Sequence, residues 1–141
     1  MPSSTGKMTV LMVDDNHEHV LLCKESLPEE EFEVAEAGNG SDALKVLGKN
    51  TFDIVVLDYA LPDMSGVELL KKLRAKGYTA PVIFVSAAED PELSVQAMKL
   101  GACDYIVKTF RYYSSLRSRL LENIEACSSE RPDIVAADAY A

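Results

Sequence analysis

The sequence predicts an α/β domain built on a doubly wound, five-stranded parallel sheet with helices on both faces. Short, almost continuously apolar runs recur along the chain and end at polar residues, which is typical of strands buried on both faces. Segments with apolar residues at helical spacing separate these runs, and such alternation is typical of parallel βαβ units with right-handed crossovers. The length of 141 residues suits one domain, and 48% hydrophobic with 26% charged residues suits a soluble globular chain.

Each predicted strand is a short apolar run that ends at a polar residue or a turn. The first ends abruptly at Asp14, whereas the second is weaker and is closed by Gly38. The third is the most apolar and ends at Asp58. In chain order, the predicted strands cover residues 9–13, 34–37, 52–57, 82–85 and 105–107.

The predicted helices have apolar residues three and four positions apart, together with recognisable start and stop residues. Pro28 follows the first helix, Ser41 is predicted to cap the second, Gly77 ends the third, and Pro91 suits the first turn of the fourth. The apolar positions, helix by helix, are Val20, Cys23 and Leu27; Ala43, Leu44 and Leu47; Leu69, Leu70 and Leu73; Leu93, Ala97 and Leu100; and Leu116, Leu120, Leu121 and Ile124.

Composition excludes several classes of protein. Lys and Arg number 14 against 23 Asp and Glu, and this net charge of -9 disfavours nonspecific, direct binding to nucleic acid. No apolar run is long enough to span a membrane, and the first seven residues lack the apolar core of a secretion signal. The cysteines, Cys23, Cys103 and Cys127, form neither a disulfide framework nor a zinc motif. We therefore expect a cytoplasmic protein that binds neither membranes nor nucleic acid directly.

Polar side chains collect at the carboxyl ends of the predicted strands, namely Asp14, Asp15, Asp58, Ser86 and Lys108. Ligands of doubly wound sheets bind at that edge. Each residue alone has an ordinary structural explanation, such as a helix cap, a turn or a solvated lysine. Together, three converging carboxylates would repel one another unless a hard divalent cation such as Mg²⁺ lies between them. Ser86 and Lys108 could then hold phosphoryl oxygens, so the edge indicates phosphoryl transfer.

These features resemble the receiver domain of two-component response regulators, over about residues 8–127. The resemblance implies a flavodoxin-like, CheY-like fold with strand order 2-1-3-4-5. The residues that carry it are the pair Asp14-Asp15, the run Asp53-Ile54-Val55-Val56-Leu57-Asp58, Pro62 and Gly66, Ser86-Ala87, Gly101-Ala102, and Asp104-Tyr105 before Lys108.

The resemblance also implies a role for each residue of the candidate site. Mg²⁺ would be the cofactor, and Mn²⁺ could substitute for it. The domain would catalyse only its own phosphorylation and slow self-dephosphorylation. The implied roles are phosphoacceptor for Asp58; metal ligands for Asp14, Asp15, Asp58 and the backbone carbonyl of Ala60; phosphoryl binding for Ser86 and Lys108; and an aromatic that changes rotamer for Tyr105.

The implied partners are a sensor histidine kinase or phosphotransfer protein and a downstream effector protein or fused output domain. A homodimer through the fourth helix, fifth strand and fifth helix is left open, because Thr109 stands where the family usually has proline. The following segment, residues 110–115, is one residue longer than usual. We predict a trans peptide before Thr109, because a cis bond before a non-proline residue costs about 2.5 to 4 kcal/mol.

Two other functions are weighed against the receiver. A haloacid-dehalogenase-like Mg²⁺-dependent phosphatase would need a second aspartate two residues after its nucleophile, where this chain has Ala60. A flavodoxin-like flavin protein would need a phosphate-binding loop where Asp14-Asp15-Asn16 would repel phosphate.

The remaining expectations concern the ends of the chain and two histidines. Residues 1–7 are expected to be a flexible N-terminus, residues 8–127 the receiver domain, and residues 128–141 a loose tail or linker. His17 and His19 lie on the first predicted helix and are expected to be solvated.

Overall fold

The computed structural model describes residues 6–87, 89–109 and 111–130, with the last four residues described by their backbone only. Strands and helices alternate along this part of the chain. In order, they are β1 Met8–Val13, α1 His17–Glu25, β2 Phe32–Ala37, α2 Gly40–Lys49, β3 Ile54–Asp58, α3 Gly66–Ala75, β4 Val82–Ser86, α4 Pro91–Lys99, β5 Asp104–Val107 and α5 Leu116–Glu130.

The five strands form one parallel sheet in the order β2-β1-β3-β4-β5, as predicted. Alternate strand residues face opposite sides of the sheet, because successive side chains of a strand point in opposite directions. Leu11, Leu57 and Phe84 pack with α2, α3 and α4, whereas Val10 and Ile83 pack with α1 and α5. The predicted fold class is therefore confirmed, with a separate apolar cluster on each face.

Several element boundaries differ from the predicted ones by one or two residues. Asn39, not Ser41, caps α2, since its side chain accepts a 2.7 Å hydrogen bond from the backbone N–H of Asp42. The strand β2 starts earlier, at Phe32, because that residue already pairs with β1. The strand β3 starts only at Ile54, since the backbone N–H of Asp53 turns to Thr9.

The segment between β5 and α5 contains a short 3₁₀ turn, Tyr112–Ser115. It is entered through Arg111, whose φ of 61° lies in the left-handed region. Within the described residues all peptide bonds are trans, and the trans bond predicted before Thr109 is confirmed. No helix of these residues is long and apolar enough to cross a membrane.

The structure describes only part of the two chain ends for which predictions were made. The helix α5 continues to Glu130, three residues past Cys127, where helical periodicity is lost in the sequence. The greater part of the predicted flexible N-terminus, residues 1–5, and of the predicted tail, residues 131–141, lies outside the described residues.

Candidate functional site

The carboxyl edge of the sheet brings the predicted polar residues together. Asp58 ends β3, and Asp14 and Lys108 directly follow β1 and β5. Ser86 ends β4 and is 4% exposed, and its carbonyl accepts a 2.7 Å hydrogen bond from the Lys108 backbone N–H. This hydrogen bond fixes the end of β4 relative to Lys108, the residue that follows β5.

The three carboxylates lie close enough to share one cation. One oxygen each from Asp14, Asp15 and Asp58 can be chosen so that all three lie within 4.8 Å of one another. Asp14 and Asp58 are 4% and 7% exposed, whereas Asp15 is open to solvent. Buried carboxylates so placed repel one another, and a divalent cation with oxygen ligands would remove that cost. The donor set therefore fits a hard cation such as Mg²⁺.

The Lys108 ammonium lies between the two buried carboxylates. Its Nζ is 3.1 Å from Asp14 Oδ2 and 3.2 Å from Asp58 Oδ2. Burial acts to lower the pKa of Lys108, but the two carboxylates outweigh burial and hold this pKa above its usual value. The side chain is therefore a permanent cation at neutral pH.

For Asp58, by contrast, burial outweighs the neighbouring positive charge and holds the pKa above its usual value. Burial raises the pKa of its carboxyl group, and the Asp14 carboxylate adds to that effect, while the Lys108 ammonium and a hydrogen bond from the Ala60 backbone oppose it. A cation bound to the three carboxylates would reverse this balance and favour the ionised form of Asp58.

The loop between β3 and α3 is held tightly against the end of β3. Ala60 and Ser65 form an antiparallel bridge, and the Gly66 N–H donates a 2.6 Å hydrogen bond to the Tyr59 carbonyl. A Cβ atom on Gly66 would lie 2.4 Å from the carbonyl oxygen of Asp58. Glycine is thus required for the loop to return this close to Asp58 and to keep Ala60 beside it.

Asp63, at the tip of the same loop, is a residue that the sequence analysis missed. Its carboxylate accepts hydrogen bonds of 2.8 and 2.9 Å from the backbone N–H groups of Gly40 and Ser41, at the start of α2. These two bonds lower the pKa of Asp63. An acid after Pro62 in a turn was the only available signal, and the partner lies far away in the sequence.

Tyr105 lies on β5 and is half-buried. Its ring stacks on that of Phe84, with 5.9 Å between centroids and 24° between planes. Tyr59 also contacts Phe84, in an edge-on arrangement with ring centroids 6.2 Å apart. An aromatic row therefore connects the loop after Asp58 with the outer strand of the sheet.

The prediction for the two histidines holds only for His17, whose side chain is 66% exposed and pairs with Glu36. The side chain of His19 is 17% exposed, and its Nε2 contacts the Tyr112 hydroxyl and lies 3.9 Å from Asp14 Oδ2. Burial lowers the pKa of His19, Lys108 lowers it further, and Asp14 partly opposes them. His19 was expected on the surface because the partner that covers it, Tyr112, lies 93 residues away.

Comparison with known proteins agrees with this geometry. Residues 10–120 match the family model described as the response regulator receiver domain. The chain belongs to the response regulator receiver domain family. The resemblance found in the sequence is thus confirmed, and receiver domains are signalling modules. These comparisons do not support the dehalogenase-like alternative.

Among curated relatives of this receiver is the transcriptional regulatory protein KdpE of Mycobacterium tuberculosis, which is 35% identical over 134 residues. The match covers 93% of this chain but only 58% of KdpE. The transcriptional regulatory protein ZraR of Salmonella typhimurium is 32% identical over 120 residues, a match that covers 85% of this chain and 26% of ZraR. This receiver therefore corresponds to only part of the length of such regulators.

Solved receiver structures share the fold. A CheY-like receiver domain from Methanospirillum hungatei has a TM-score of 0.80 at 28% identity, covering 88% of this chain and 98% of that one. The response regulator TrrA of Thermotoga maritima, solved with Mg²⁺ and BeF, has a TM-score of 0.71 at 31% identity, covering 82% and 98%. Receiver domains bind Mg²⁺ at their acidic pocket, and this chain has such an acidic cluster.

Proposed function

We propose that this receiver accepts a phosphoryl group on Asp58 from a phosphohistidine of a sensor histidine kinase or phosphotransfer protein. The observation that carries the proposal is the position of Asp58, which belongs to the acidic cluster and also lies 3.2 Å from the Lys108 ammonium. A cation on one side and an ammonium on the other are what a carboxylate needs to attack an anionic phosphoryl group.

The other two acids are less suited to be the acceptor. Asp14 follows β1, which β3 separates from the Ser86-bearing strand β4, whereas Asp58 ends β3 and pairs directly with β4. Asp15 is open to solvent and has no ammonium beside it in the described residues. Asp58 is therefore assigned as the acceptor, and the other two as metal ligands.

Mg²⁺ would be held by Asp14, Asp15, Asp58 and the backbone carbonyl of Ala60, and Mn²⁺ could replace it. When bound, it supplies positive charge that neutralises the acidic pocket and the phosphoryl oxygens. The fit rests on the oxygen-only donor set and on the buried like charges of Asp14 and Asp58.

The transfer uses three side chains of this chain. A carboxylate oxygen of Asp58 attacks phosphorus as the phosphorus–nitrogen bond of the donor breaks, and the donor imidazole leaves with the electron pair of that bond. The Lys108 ammonium and the Ser86 hydroxyl bind the transferred phosphoryl oxygens. The product is an aspartyl phosphate, which water later cleaves slowly, so the domain catalyses only its own phosphorylation and dephosphorylation.

The output would be a change of binding surface. Phosphorylation adds nearly two negative charges, towards which Ser86 and Lys108 would move. We propose that Tyr105 then changes rotamer as Ser86 moves, and that the surface of α4, β5 and α5 meets an effector protein, a fused output domain or a second copy of the receiver. Val95 and Met98 on α4 are 51% and 49% exposed and offer apolar contacts for such a partner.

The test is Mg²⁺-dependent phosphorylation by acetyl phosphate, measured by intact mass. The wild type should gain one phosphoryl group, and both Asp58→Asn and removal of Mg²⁺ with a chelator should abolish the gain. Asp53→Asn is the matched control, because Asp53 lies at the opposite end of β3, where it contacts Thr9. Labelling of Asp58→Asn at the wild-type level would show that the acceptor lies elsewhere.

A further inference from the structure

The segment that follows Lys108 begins without a proline. Thr109 comes directly after Lys108, and the peptide between them is trans. A proline ring would restrict the backbone here, and threonine does not. The placement of Lys108 therefore depends on other contacts.

Those contacts form a compact turn. The Thr109 N–H donates to the Val107 carbonyl at 2.8 Å, and the Tyr112 N–H donates to the Thr109 carbonyl at 3.1 Å. Arg111 adopts a left-handed backbone conformation within this turn, which is unfavourable for a residue other than glycine. A turn that contains such a residue needs an anchor at its far end.

Tyr112 is that anchor. It is 6% exposed and packs in the apolar cluster between the sheet, α1 and α5. Its hydroxyl contacts His19 Nε2 and lies 3.6 Å from Cys23 Sγ, both on α1. The rings of Tyr112 and His19 also stack, with 5.1 Å between centroids and 23° between planes. A buried hydroxyl is costly without a partner, so these contacts select one position for the turn.

Tyr112 is also connected to the candidate site through its contact with His19. The backbone N–H of His19 donates a 3.0 Å hydrogen bond to Asn16, which fixes the start of α1. Its Nε2 lies 3.9 Å from Asp14 Oδ2, the oxygen that contacts Lys108. Tyr112 is thus connected to Lys108 along the chain through the turn and across space through His19 and Asp14.

We propose that Tyr112 is a positioning residue for Lys108, and that its hydroxyl, bonded to His19 and Cys23, fixes the turn so that the ammonium stays between Asp14 and Asp58. The inference rests on the proposed function of this site. Tyr112 contacts neither the donor nor the phosphoryl group; it acts only by holding Lys108.

The substitution Tyr112→Phe tests this, because it removes one oxygen and keeps the packing of the ring. With Lys108 released, the affinity for beryllofluoride at saturating Mg²⁺ should fall about 5- to 20-fold. The affinity for Mg²⁺ alone should stay the same or rise up to about fivefold, because the ammonium competes less for the carboxylates. A general loss of structure would instead weaken both affinities. Both constants can be measured by following amide resonances during titration.

A second background separates positioning from packing. When Lys108→Ala is already present, adding Tyr112→Phe should leave the Mg²⁺ affinity unchanged, since the proposed effect requires Lys108. Tyr113→Phe is the matched control, as it makes the same change at the next residue, which does not contact α1 through its hydroxyl in any described contact. His19→Ala removes the bond from the other side and should reproduce the result if Tyr112→Phe fails to fold.

The outcomes distinguish the two proposals. A wild-type protein that binds no beryllofluoride with Mg²⁺ would overturn the proposed function and this inference with it. Normal binding by the wild type and equal binding by both Tyr112→Phe and His19→Ala would overturn this inference alone. A parallel loss of Mg²⁺ and beryllofluoride affinity, repeated in the Lys108→Ala background, would show that Tyr112 only packs.

Discussion

At the scale of single residues, the site places two buried carboxylates beside one ammonium. Lys108 satisfies one oxygen of Asp14 and one of Asp58, yet the pKa of Asp58 remains raised, because burial outweighs the ammonium. A group whose pKa is raised on folding takes up protons as the chain folds. Ionised Asp58 therefore destabilises the fold, although the phosphoacceptor role would require this ionised form.

This cost predicts the effect of Asp58→Asn on stability. Since the folded pKa of Asp58 is above its unfolded value, the ionised group destabilises the fold as pH rises through that interval. Without divalent cations, Asp58→Asn should therefore raise the melting temperature at pH 7, and the gain should vanish in acid, below the usual pKa of aspartate. Addition of Mg²⁺ should stabilise the wild type more than the variant. Thermal unfolding with and without a chelator measures both effects, and a lower melting temperature for Asp58→Asn at pH 7 would contradict them.

Gly66 offers a second prediction at this scale. A Cβ atom there would lie 2.4 Å from the Asp58 carbonyl oxygen and 3.0 Å from the Tyr59 Cα. Both are backbone atoms that cannot rotate away, so Gly66→Ala should destabilise the fold by about 1 to 3 kcal/mol.

The control for Gly66→Ala is Gly48→Ala in α2, where an added Cβ meets no atom within 4 Å. There the better helix propensity of alanine should leave stability unchanged or raise it by up to about 1 kcal/mol. Denaturant unfolding of the two variants gives the comparison. Equal effects would mean that the loop has room to move away from Asp58.

At the scale of elements, the helices and strands were predictable where the pattern is local. Buried parallel strands need apolar residues on both faces, which makes runs such as residues 82–85 recognisable in a sequence. The same is true of α4, where Pro91 occupies the first turn, as predicted, next to the cap Asp90. The prediction of a solvated His19 was wrong because it depends on a long-range contact, that with Tyr112, which lies 93 positions away. No local pattern contains that information.

The start of α2 shows the same limit on a smaller scale. Ser41 was predicted as the cap, but Asn39 is an equally good capping residue, so the local sequence does not separate the two. The backbone N–H of Ser41 is bonded to Asp63, 22 residues away, which places Ser41 inside the helix and Asn39 at its cap. A loop next to the candidate site therefore decides where a helix begins.

Arg74 connects two elements far from the candidate site. Its guanidinium donates to the carbonyls of Tyr78, Leu100 and Gly101 at 2.6, 2.8 and 3.1 Å, which joins the end of α3 to the end of α4. Arg74→Lys should destabilise the fold by about 2 kcal/mol, because an ammonium cannot reach carbonyls in three directions as a planar fork does. The exposed Lys71, on α3, serves as control through Lys71→Arg. Equal free energies of unfolding for the two variants, measured by chemical denaturation, would contradict this role of Arg74.

At the scale of the whole molecule, the two faces of the sheet hold different aromatic contacts of the site. The face with α2, α3 and α4 includes Phe84, on which Tyr105 stacks, whereas the other face holds Tyr112 against α1. Ser86 and Lys108 are joined by a backbone hydrogen bond at the edge that both faces share. A phosphoryl group that draws these residues inward would therefore act on both layers of helices.

This arrangement predicts how far the response to a phosphoryl analogue spreads. With Mg²⁺ and beryllofluoride, amide resonances should change in the acidic pocket and also at Tyr105 and across residues 91–120. Both rotamers of Tyr105 should be populated without the analogue, with a shift towards the buried one on binding. Mg²⁺ alone is the control and should perturb chiefly the pocket. Changes confined to the pocket in the presence of beryllofluoride would refute the switch.

The strand order also determines when the pocket can be completed as the chain folds. The contact of Thr9 with Asp53 joins residues 44 apart, whereas that of Asp14 with Lys108 joins residues 94 apart, so the contact that completes the pocket is expected to form later. During synthesis from the N-terminus, the three acids are thus present well before the ammonium. A chain halted before β5 would carry an acidic pocket without its lysine, so the capacity to bind a cation precedes the capacity to hold a phosphoryl group.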